Sequence, residues 1–352
     1  MPTPTPPGIP SPLPTDRPVR WGILATGKIA DSFVADLLLV PDAEFTAVGS
    51  RSMESAQRFA DSHRRHDGTI ARTHGTYADL LADAEVDVVY VATPHGRHVE
   101  DVLACFEAGK NVLCEKAITL NARDGAMLVA AARRRQLFFA EAMWMRCNPN
   151  IVAMRRMVAG GVLGNVLQVR ADLGFVGGAD IARLWDPALG AGSLLDVGIY
   201  PLTFAYLMLG QPVDVTASAT LSTTAHPAAG IDLNGGALLT YADGAMAHVS
   251  WTQVAHSDNR ASISGDQGRI EVPARMHEPV GFERFWNSES ETESEPVTGL
   301  GYAHEIGEVG ECLRAGRTES DLLPPDETVA IMALMDEIRA QVGVEYAADA
   351  GA

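Results

Sequence analysis

The stretch WGILATGKIA, residues 21–30, decides the fold of this chain. Its apolar first half predicts a short buried strand, and the helical spacing of apolar residues after Gly27 predicts a helix. Gly27 lies in the tight turn between them, where its missing side chain lets the backbone approach a pyrophosphate. The helix N-terminus adds unpaired N–H groups and a positive dipole end, so a dinucleotide fingerprint belongs at this turn. Ala25 replaces the first glycine of that fingerprint.

The phosphate-binding role therefore falls to the turn and its flanks: Ala25, Thr26, Gly27, Lys28 and Ile29. The alternative is a tight strand-to-helix turn that holds no ligand. The position of the turn, after the first strand of an alternating series, favours the cofactor. Ligands of such sheets bind beyond the carboxyl ends of the strands.

Strand and helix patterns alternate across the first half of the chain. Apolar runs at residues 44–50, 87–92 and 111–114 predict strands, and residues 53–63 and 121–135 predict helices. Such alternation predicts a parallel sheet covered on both faces. The fold class is therefore α/β, beginning with a Rossmann dinucleotide-binding domain.

The pattern changes after about residue 148. Longer, alternating runs at residues 165–176 and 213–275 predict a large open, mostly antiparallel sheet in a C-terminal α/β domain. Residues 193–209 form one strong helical pattern between these runs, and the acidic run ESETESE, residues 289–295, predicts an exposed loop. Two helical patterns close the chain, at residues 304–315 and 325–342.

These patterns divide the chain into a disordered proline-rich lead (1–16), a Rossmann domain (17–147) and a substrate-binding and oligomerisation domain (148–345). The lead favours polyproline II, and it lacks the apolar core and basic flank of a signal peptide. Because its composition cannot bury a hydrophobic core, we expect its removal to change neither stability nor turnover. The strands of residues 213–275 leave one sheet face uncovered. Exposed apolar faces usually pair, which predicts a homodimer or homotetramer.

Composition limits the partners. The 352 residues carry a formal net charge of −18, which argues against nucleic acids and anionic membranes because both attract basic surfaces. No apolar run approaches ~20 residues, so no membrane span is expected. The four cysteines show no metal-type spacing, which favours a reduced, cytoplasmic protein without a metal site.

The end of the second predicted strand favours NADP over NAD. NAD enzymes place an acidic residue there to hold the ribose hydroxyls, but this chain has Ser50, Arg51 and Ser52. Arg51 can pair with a 2′-phosphate and stack on adenine, and the two serines can donate hydrogen bonds to that phosphate. The alternative is a solvated arginine at a strand end.

Two further segments carry a more specific pattern: VATPHGRH, residues 91–98, and AGKNVLCEKA, residues 108–117. Together they resemble the glucose-fructose oxidoreductase/inositol dehydrogenase (Gfo/Idh/MocA) family, in which this region closes the nicotinamide end of the site. Ala117 stands where the family has a proline that follows a cis peptide bond and sets the direction of the lysine. The resemblance implies cofactor contacts from Thr93, Pro94, His95, His98, Glu115 and Lys116.

EAMWMR, residues 141–146, and GSLLDVGIYP, residues 192–201, narrow the resemblance. They are similar to the branch of the family that holds the dimeric dihydrodiol dehydrogenases and the NADP-linked D-xylose dehydrogenases, in which a tyrosine stands at the position of Tyr200. The similarity runs from about residue 19 to residue 341. It implies a substrate pocket lined by Trp144, Arg146 and Tyr200.

The resemblance and the spacing together assign catalysis to Lys116, Asp196 and Tyr200. Asp196 and Tyr200 lie four residues apart, hence on one face of a helix. An ammonium ~4 Å from a phenolate favours the charged form by ~4 kcal/mol at an effective dielectric of ~20, enough to bring a tyrosine near operating pH. The alternatives are a core tyrosine, a surface lysine, an aspartate that only caps a helix and a tryptophan, Trp144, that only packs.

The expected reaction is reversible hydride transfer between NADP(H) and a secondary alcohol or ketone. By resemblance, the substrate is a sugar, a polyol or a trans-dihydrodiol. The protein positions the two reacting carbons and manages the hydroxyl proton. Two other functions remain open: a ketoreductase of secondary-metabolite sugar biosynthesis, and a catalytically silent NADP-binding sensor.

Overall fold

The computed structural model describes residues 12–223 and 230–351, which fold around two β-sheets. The elements up to residue 159 are β1 (Val19–Leu24), α1 (Lys28–Leu37), β2 (Ala43–Gly49), α2 (Met53–Ser62), β3 (Arg72–His74), α3 (Tyr77–Leu81), β4 (Val88–Val91), α4 (His98–Glu107), β5 (Asn111–Glu115), α5 (Ala122–Arg135), β6 (Phe139–Ala142) and α6 (Pro149–Ala159). Those after it are β7 (Val166–Gly174), α7 (Ile199–Leu209), β8 (Asp214–Leu221), β9 (Asp232–Thr240), β10 (Met246–Thr252), β11 (Ala261–Gly265), β12 (Arg269–Val272), β13 (Phe282–Trp286), β14 (Glu289–Glu293), α8 (Tyr302–Arg314) and α9 (Pro325–Val342).

Six parallel strands form the first sheet, in the order β3-β2-β1-β4-β5-β6. The carboxyl ends of β1 and β4 lie side by side where the strand order reverses, which is the place at which such sheets bind ligands. All four residues of β4 are buried, as expected for a central strand covered on both faces. The predicted Rossmann domain is confirmed. The prediction omits β3 and α3, because three polar residues at a sheet edge carry no apolar period.

The second sheet has eight strands, in the order β14-β13-β12-β11-β7-β10-β9-β8. Only β7 and β10 pair in parallel, among the strands that the structure describes. Helices α7 and α9 pack on one face. Along β10, Ala247, Val249 and Trp251 are buried whereas His248 and Ser250 are exposed, so the other face is open to solvent. The predicted open, mostly antiparallel sheet is confirmed, but its open face is polar and not apolar as we expected.

The acidic run ESETESE is a strand, so the predicted loop at residues 289–295 is wrong. Glu289–Glu293 forms the edge strand β14, antiparallel to β13. Arg284 of β13 donates to Glu293 at 2.8 Å and to Glu291 at 3.1 Å. These two carboxylates lie on one face of the strand because side chains alternate, and a cross-strand cation stabilises both. A strand held by backbone pairing and exposed ion pairs has no apolar pattern for sequence analysis to detect.

The helical pattern at residues 193–209 divides into two parts. Leu194–Gly198 forms a π-helical turn, and α7 begins directly after it. Pro201 lies in the first turn of α7 and, having no N–H, donates no hydrogen bond back to the π-helical turn. The stretch Pro187–Leu209 is long and apolar enough to cross a membrane, with a mean hydropathy of 1.3 in its most apolar window. This finding contradicts our expectation that the chain contains no such run. However, 89% of that window is buried inside the protein, as in a core helix.

The last two helices return to the first sheet. Helix α8 packs on α1, and α9 packs on α5 and β6 as well as on β8. The buried carboxylate of Asp36, in α1, accepts hydrogen bonds from the N–H groups of Leu300 at 2.9 Å, Gly301 at 2.9 Å and Ala303 at 3.2 Å. A carboxylate from α1 thus caps the N-terminus of α8, which is a favourable position for negative charge. The Rossmann unit therefore includes the end of the chain, beyond the predicted boundary at residue 147.

The proline-rich lead is partly ordered. The N–H of Leu13 donates to the carbonyl oxygen of Leu313 at 3.1 Å, and its side chain packs against the core. The predicted disorder of residues 1–16 is therefore wrong for residues 12–16, where Leu13 contacts α8, whereas the expectation that the lead is dispensable stays a prediction. Residues 1–11 lie outside the described residues.

The turn between β1 and α1 contains a left-handed residue. Ala25 has a φ of 84°, the conformation that the first glycine of a dinucleotide fingerprint usually takes. An L-residue in this region costs roughly 1–2 kcal/mol of backbone strain, which glycine avoids. Glycine in turn loses about 0.4–1 kcal/mol more conformational entropy than alanine when the protein folds.

We therefore expect Ala25→Gly to raise the free energy of unfolding by about 0.5–1 kcal/mol. Ala126→Gly provides the control, because Ala126 is exposed within the right-handed helix α5 and its replacement should lower stability by about 1 kcal/mol. Urea denaturation of both variants measures the two signs. A loss of stability in Ala25→Gly would show that the turn does not impose this conformation.

Candidate active site

The β1–α1 turn has the geometry of a phosphate cradle. Gly27 is the N-cap residue of α1 and provides no side-chain cap, so the first N–H groups of the helix remain available as hydrogen-bond donors. A Cβ built on Gly27 finds nothing within 4 Å, which leaves the backbone open to a ligand. Thr26 Oγ1 and Ser50 Oγ lie 3.3 Å apart and join this turn to the end of β2. Lys28 is exposed beside them. These residues fit the pyrophosphate of a dinucleotide.

The end of β2 leaves Arg51 open to the predicted 2′-phosphate and engages the Ser52 hydroxyl in a local contact. Arg51 is exposed, with no carboxylate next to it in the turn. Ser52 is the N-cap of α2: its hydroxyl accepts from the N–H of Ser55 at 3.2 Å. The Ser52 hydroxyl also donates its proton to the hydroxyl of Ser55 at 3.0 Å, so donation to a phosphate would require that proton to turn away, and the predicted contact stays a prediction. Arg51 remains the cation that this position offers.

The two histidines after β4 hold loops together. His98 is fully buried, with its ring nitrogens 2.8 Å from the oxygen of Thr93 and 3.0 Å from that of Ala117. His95 lies 2.9 Å from the oxygen of Lys116 and 3.1 Å from that of Gly190, and burial lowers the pKa of His95 to about 4. The predicted cofactor contact of His98 is wrong, because its side chain positions the Lys116 turn instead.

The residue two positions before His95 has a buried side-chain hydroxyl without a partner in the described residues. The hydroxyl of Thr93 is buried, and no residue in the described parts of the chain is its hydrogen-bond partner. Pro94, next to it, begins the turn that leads into α4. Because a buried hydroxyl without a partner costs free energy, this position suits a cofactor that supplies the missing bond.

Lys116 lies at the carboxyl end of β5 and reaches the second half of the chain. The peptide bond between Lys116 and Ala117 is cis, the geometry that the family has before its proline. Lys116 Nζ donates to the backbone oxygen of Asp196 at 2.5 Å and to its Oδ1 at 3.2 Å. Arg183 Nη1 donates to the same Oδ1 at 2.8 Å. Burial would raise the pKa of Asp196, but the Lys116 and Arg183 cations outweigh burial and hold that pKa well below its usual range.

Tyr200 is buried close to this ion pair. Its hydroxyl accepts a hydrogen bond from Trp144 Nε1 at 2.9 Å, and Lys116 Nζ lies 5.1 Å from the centre of its ring. Burial, together with the nearby Tyr302 and Glu115, raises the pKa of Tyr200 well above its ordinary value. The predicted lowering of this pKa by Lys116 is therefore wrong, because Lys116 pairs with Asp196 and not with the phenol oxygen. Tyr200 is a neutral proton donor here.

Two predicted contacts are internal to the protein. Arg146 is 1% exposed, and its Nη1 donates to Glu327 of α9 at 2.7 Å, so it does not line a substrate pocket. Glu115 is also buried and accepts a hydrogen bond from the hydroxyl of Tyr90. Burial raises the pKa of Glu115. Trp144, in contrast, lies where the sequence predicts, against Tyr200.

Three residues of the site are absent from the prediction. Tyr302, the first residue of α8, stacks on Trp144 with ring centres 4.5 Å apart. His277 packs against Tyr200 at 5.2 Å and against Trp144 at 5.8 Å, measured between ring centres. Arg183 pairs with Asp196 from a loop. No local motif marks any of them, because each reaches the site through tertiary packing.

Two family models match this chain. Residues 19–142 match an oxidoreductase family with an NAD-binding Rossmann fold, and residues 151–271 match the GFO/IDH/MocA C-terminal domain. The D-xylose 1-dehydrogenase (NADP(+)) of Hypocrea jecorina is 34% identical, with 93% of each chain covered. The trans-1,2-dihydrobenzene-1,2-diol dehydrogenase of Homo sapiens is 31% identical, with 94% of this chain and 99% of that protein covered.

Solved structures agree with these matches. A 3-ketoreductase from Actinomadura kijaniata, in complex with NADP and TDP-benzene, has a TM-score of 0.82 and 25% identity, covering 94% of this chain and 99% of its own. An aldose-aldose oxidoreductase from Caulobacter crescentus shares the fold, with a TM-score of 0.83 and 22% identity over 93% of this chain and 98% of its own. Because the two family models cover both domains and relatives more than 30% identical cover over 90% of the sequence, this chain belongs to the GFO/IDH/MocA oxidoreductase family.

Proposed function

We propose that the protein is an NADP-dependent dehydrogenase or reductase that acts on a secondary alcohol or ketone of a sugar, a polyol or a trans-dihydrodiol. One observation carries the proposal. The hydroxyl of Tyr200 accepts from Trp144 and so keeps its own proton for a substrate oxygen, beside the Lys116 ammonium at the carboxyl edge of the parallel sheet. A neutral acid and a cation at this edge suit a carbonyl that gains a hydride.

The residues of the site manage the proton of this reaction. A bound nicotinamide supplies the hydride donor or acceptor. In the reducing direction, the Tyr200 proton passes to the carbonyl oxygen as the carbon gains the hydride, and the Lys116 ammonium stabilises negative charge on that oxygen. In the oxidising direction, the alcohol proton passes to the Tyr200 phenolate as the carbon loses the hydride. Burial raises the pKa of Tyr200, so the neutral phenol, from which reduction starts, is the main form at neutral pH.

The choice of NADP rests on the end of β2 and on the relatives. Arg51 is exposed there, where an acidic residue would repel a 2′-phosphate and favour NAD. The Hypocrea jecorina relative is named for NADP, and the Actinomadura kijaniata structure contains it.

The relatives also support the substrate class. Their names specify D-xylose and a 1,2-diol, and the ketoreductase binds a TDP compound. A ketoreductase of secondary-metabolite sugar biosynthesis is the second candidate, since the same residues would serve it and a 3-ketoreductase shares the fold. A silent NADP-binding sensor is disfavoured because Lys116, Asp196 and Tyr200 come together in one site.

We expect Tyr200→Phe and Lys116→Met each to lower kcat by about 100-fold or more, the usual loss when acid–base catalysis is removed. NADP affinity should fall less in Tyr200→Phe than in Lys116→Met, and the double variant should lose little beyond the worse single one. The measurement is nicotinamide absorbance during turnover of D-xylose, of trans-diols and of the matching ketones. Tyr206→Phe, one and a half turns along α7, is the matched control and should be unaffected. Near-normal turnover in Tyr200→Phe would overturn the assignment.

Arg51→Ala tests the cofactor. Loss of a charge-assisted contact should cost about 1.5–3 kcal/mol, which is roughly 10- to 150-fold in NADP affinity, with little change for NAD. Titration calorimetry with both nucleotides measures the difference. Arg58→Ala removes a like charge from α2, where Arg58 pairs with Glu54, and should leave both affinities unchanged. A wild type that prefers NAD would contradict the proposal.

Assembly and location complete the proposal. We propose a cytoplasmic homodimer that pairs through the open face of the second sheet; the four cysteines are free and buried, which suits a reducing compartment. Ser250→Arg places a charge at the middle of that face and should shift the sedimentation profile from dimer to monomer. Ser62→Arg, at the exposed end of α2 and away from the second sheet, is the control and should remain dimeric. A monomeric wild type at micromolar concentration would refute the dimer.

A further inference from the structure

The ring of His277 packs beside the side chains of Tyr200 and Trp144 at the proposed reacting centre. Its ring lies against Tyr200 and Trp144, the two residues joined by the hydrogen bond at the reacting centre. The side chain is 19% exposed, so it is neither a core residue nor a surface one. A substrate oxygen that reaches the Tyr200 hydroxyl therefore comes within reach of the imidazole.

The imidazole keeps one polar atom free. Its Nδ1 is buried and has no hydrogen-bond partner among residues 12–223 and 230–351. Its Nε2 faces the carboxylate of Glu278 at 3.6 Å, which favours the proton on Nε2 and leaves a lone pair on Nδ1. Burial, with the Arg275 and Lys116 cations, lowers the pKa of His277 to about 3, so the ring is neutral at pH 7. Nδ1 is thus a hydrogen-bond acceptor that has no donor among the described residues.

We propose that His277 determines specificity by accepting a hydrogen bond from a second substrate hydroxyl, on the carbon next to the one that reacts. Tyr200 and His277 then hold two oxygens on adjacent carbons, one each. The site therefore selects vicinal hydroxyl groups and disfavours alcohols that lack the second oxygen, because those leave Nδ1 buried and unpaired. This inference rests on the proposed function and narrows its substrate class.

Three substitutions separate the acceptor from the packing. His277→Phe keeps a ring against Tyr200 and Trp144 but removes both nitrogens. His277→Asn keeps a polar atom near the Nδ1 position, and His277→Gln keeps one near the Nε2 position. Only the asparagine variant can accept the proposed bond. If the phenylalanine variant fails to fold, the comparison of asparagine with glutamine carries the same test.

The experiment compares D-xylose with 2-deoxy-D-xylose, which lacks the neighbouring hydroxyl. Titration calorimetry in the presence of NADPH gives affinity without turnover, and initial rates with NADP give kcat/KM. The wild type should prefer D-xylose by about 10-fold. The preference should nearly vanish in the phenylalanine and glutamine variants, with the affinity for the deoxy sugar unchanged, and should largely survive in the asparagine variant.

The outcomes distinguish this inference from the proposed function. If the wild type oxidises D-xylose and every variant keeps the same preference over the deoxy sugar, the role of His277 is refuted while the dehydrogenase stands. A loss of affinity that is equal for both sugars in His277→Phe shows packing only, and also refutes it. If neither sugar binds to or is oxidised by the wild type, the sugar class of the proposed function fails, and this inference fails with it.

Discussion

The buried ion pair between Lys116 and Asp196 is the interaction on which the site depends. It joins the end of β5 to the π-helical turn before α7, so it sets the distance between the nucleotide-binding sheet and the helix that carries Tyr200. A buried charge without a partner is strongly destabilising, which makes the pairing obligatory once both groups leave water. Asp232 secures the other end of the turn, since it accepts from the Ser193 hydroxyl at 2.6 Å and from the N–H of Leu194 at 2.7 Å.

Two buried carboxyl groups near the site, those of Glu305 and Glu141, have raised pKa values. Glu305 of α8 is fully buried and, within the described residues, neither of its oxygens has a partner; burial raises its pKa well above the ordinary value, which favours the neutral acid. Burial likewise raises the pKa of Glu141 to about 7. Lys116 pairs directly with Asp196, which Arg183 also contacts, and its cation partly offsets the effect of burial on the pKa of Glu115.

Sequence predicts what is local in this protein and misses what is not. Apolar periodicity is enough for both sheets and for the limits of α9, and short motifs are enough for Lys116 and Tyr200. The strand at ESETESE is missed because an arginine on the neighbouring strand, and not burial, holds it. His277 is missed because its importance depends on packing from a distant loop. The pKa of Tyr200 is predicted with the wrong sign, since spacing cannot show that Asp196 takes the lysine.

The carboxylate of Asp36 on the N-terminus of α8 has a consequence for how the protein is built. Because the chain returns to α1 after β14, the whole eight-stranded sheet is an insertion within the nucleotide-binding unit. A graft of that sheet from one relative onto another thus needs two splice points, one after β6 and one before Gly301. The two segments that connect the second sheet to the nucleotide-binding unit, one after β6 and one before Gly301, act together as a hinge. We therefore expect any movement of the sheet against that unit to be a rotation about the line that joins these two segments.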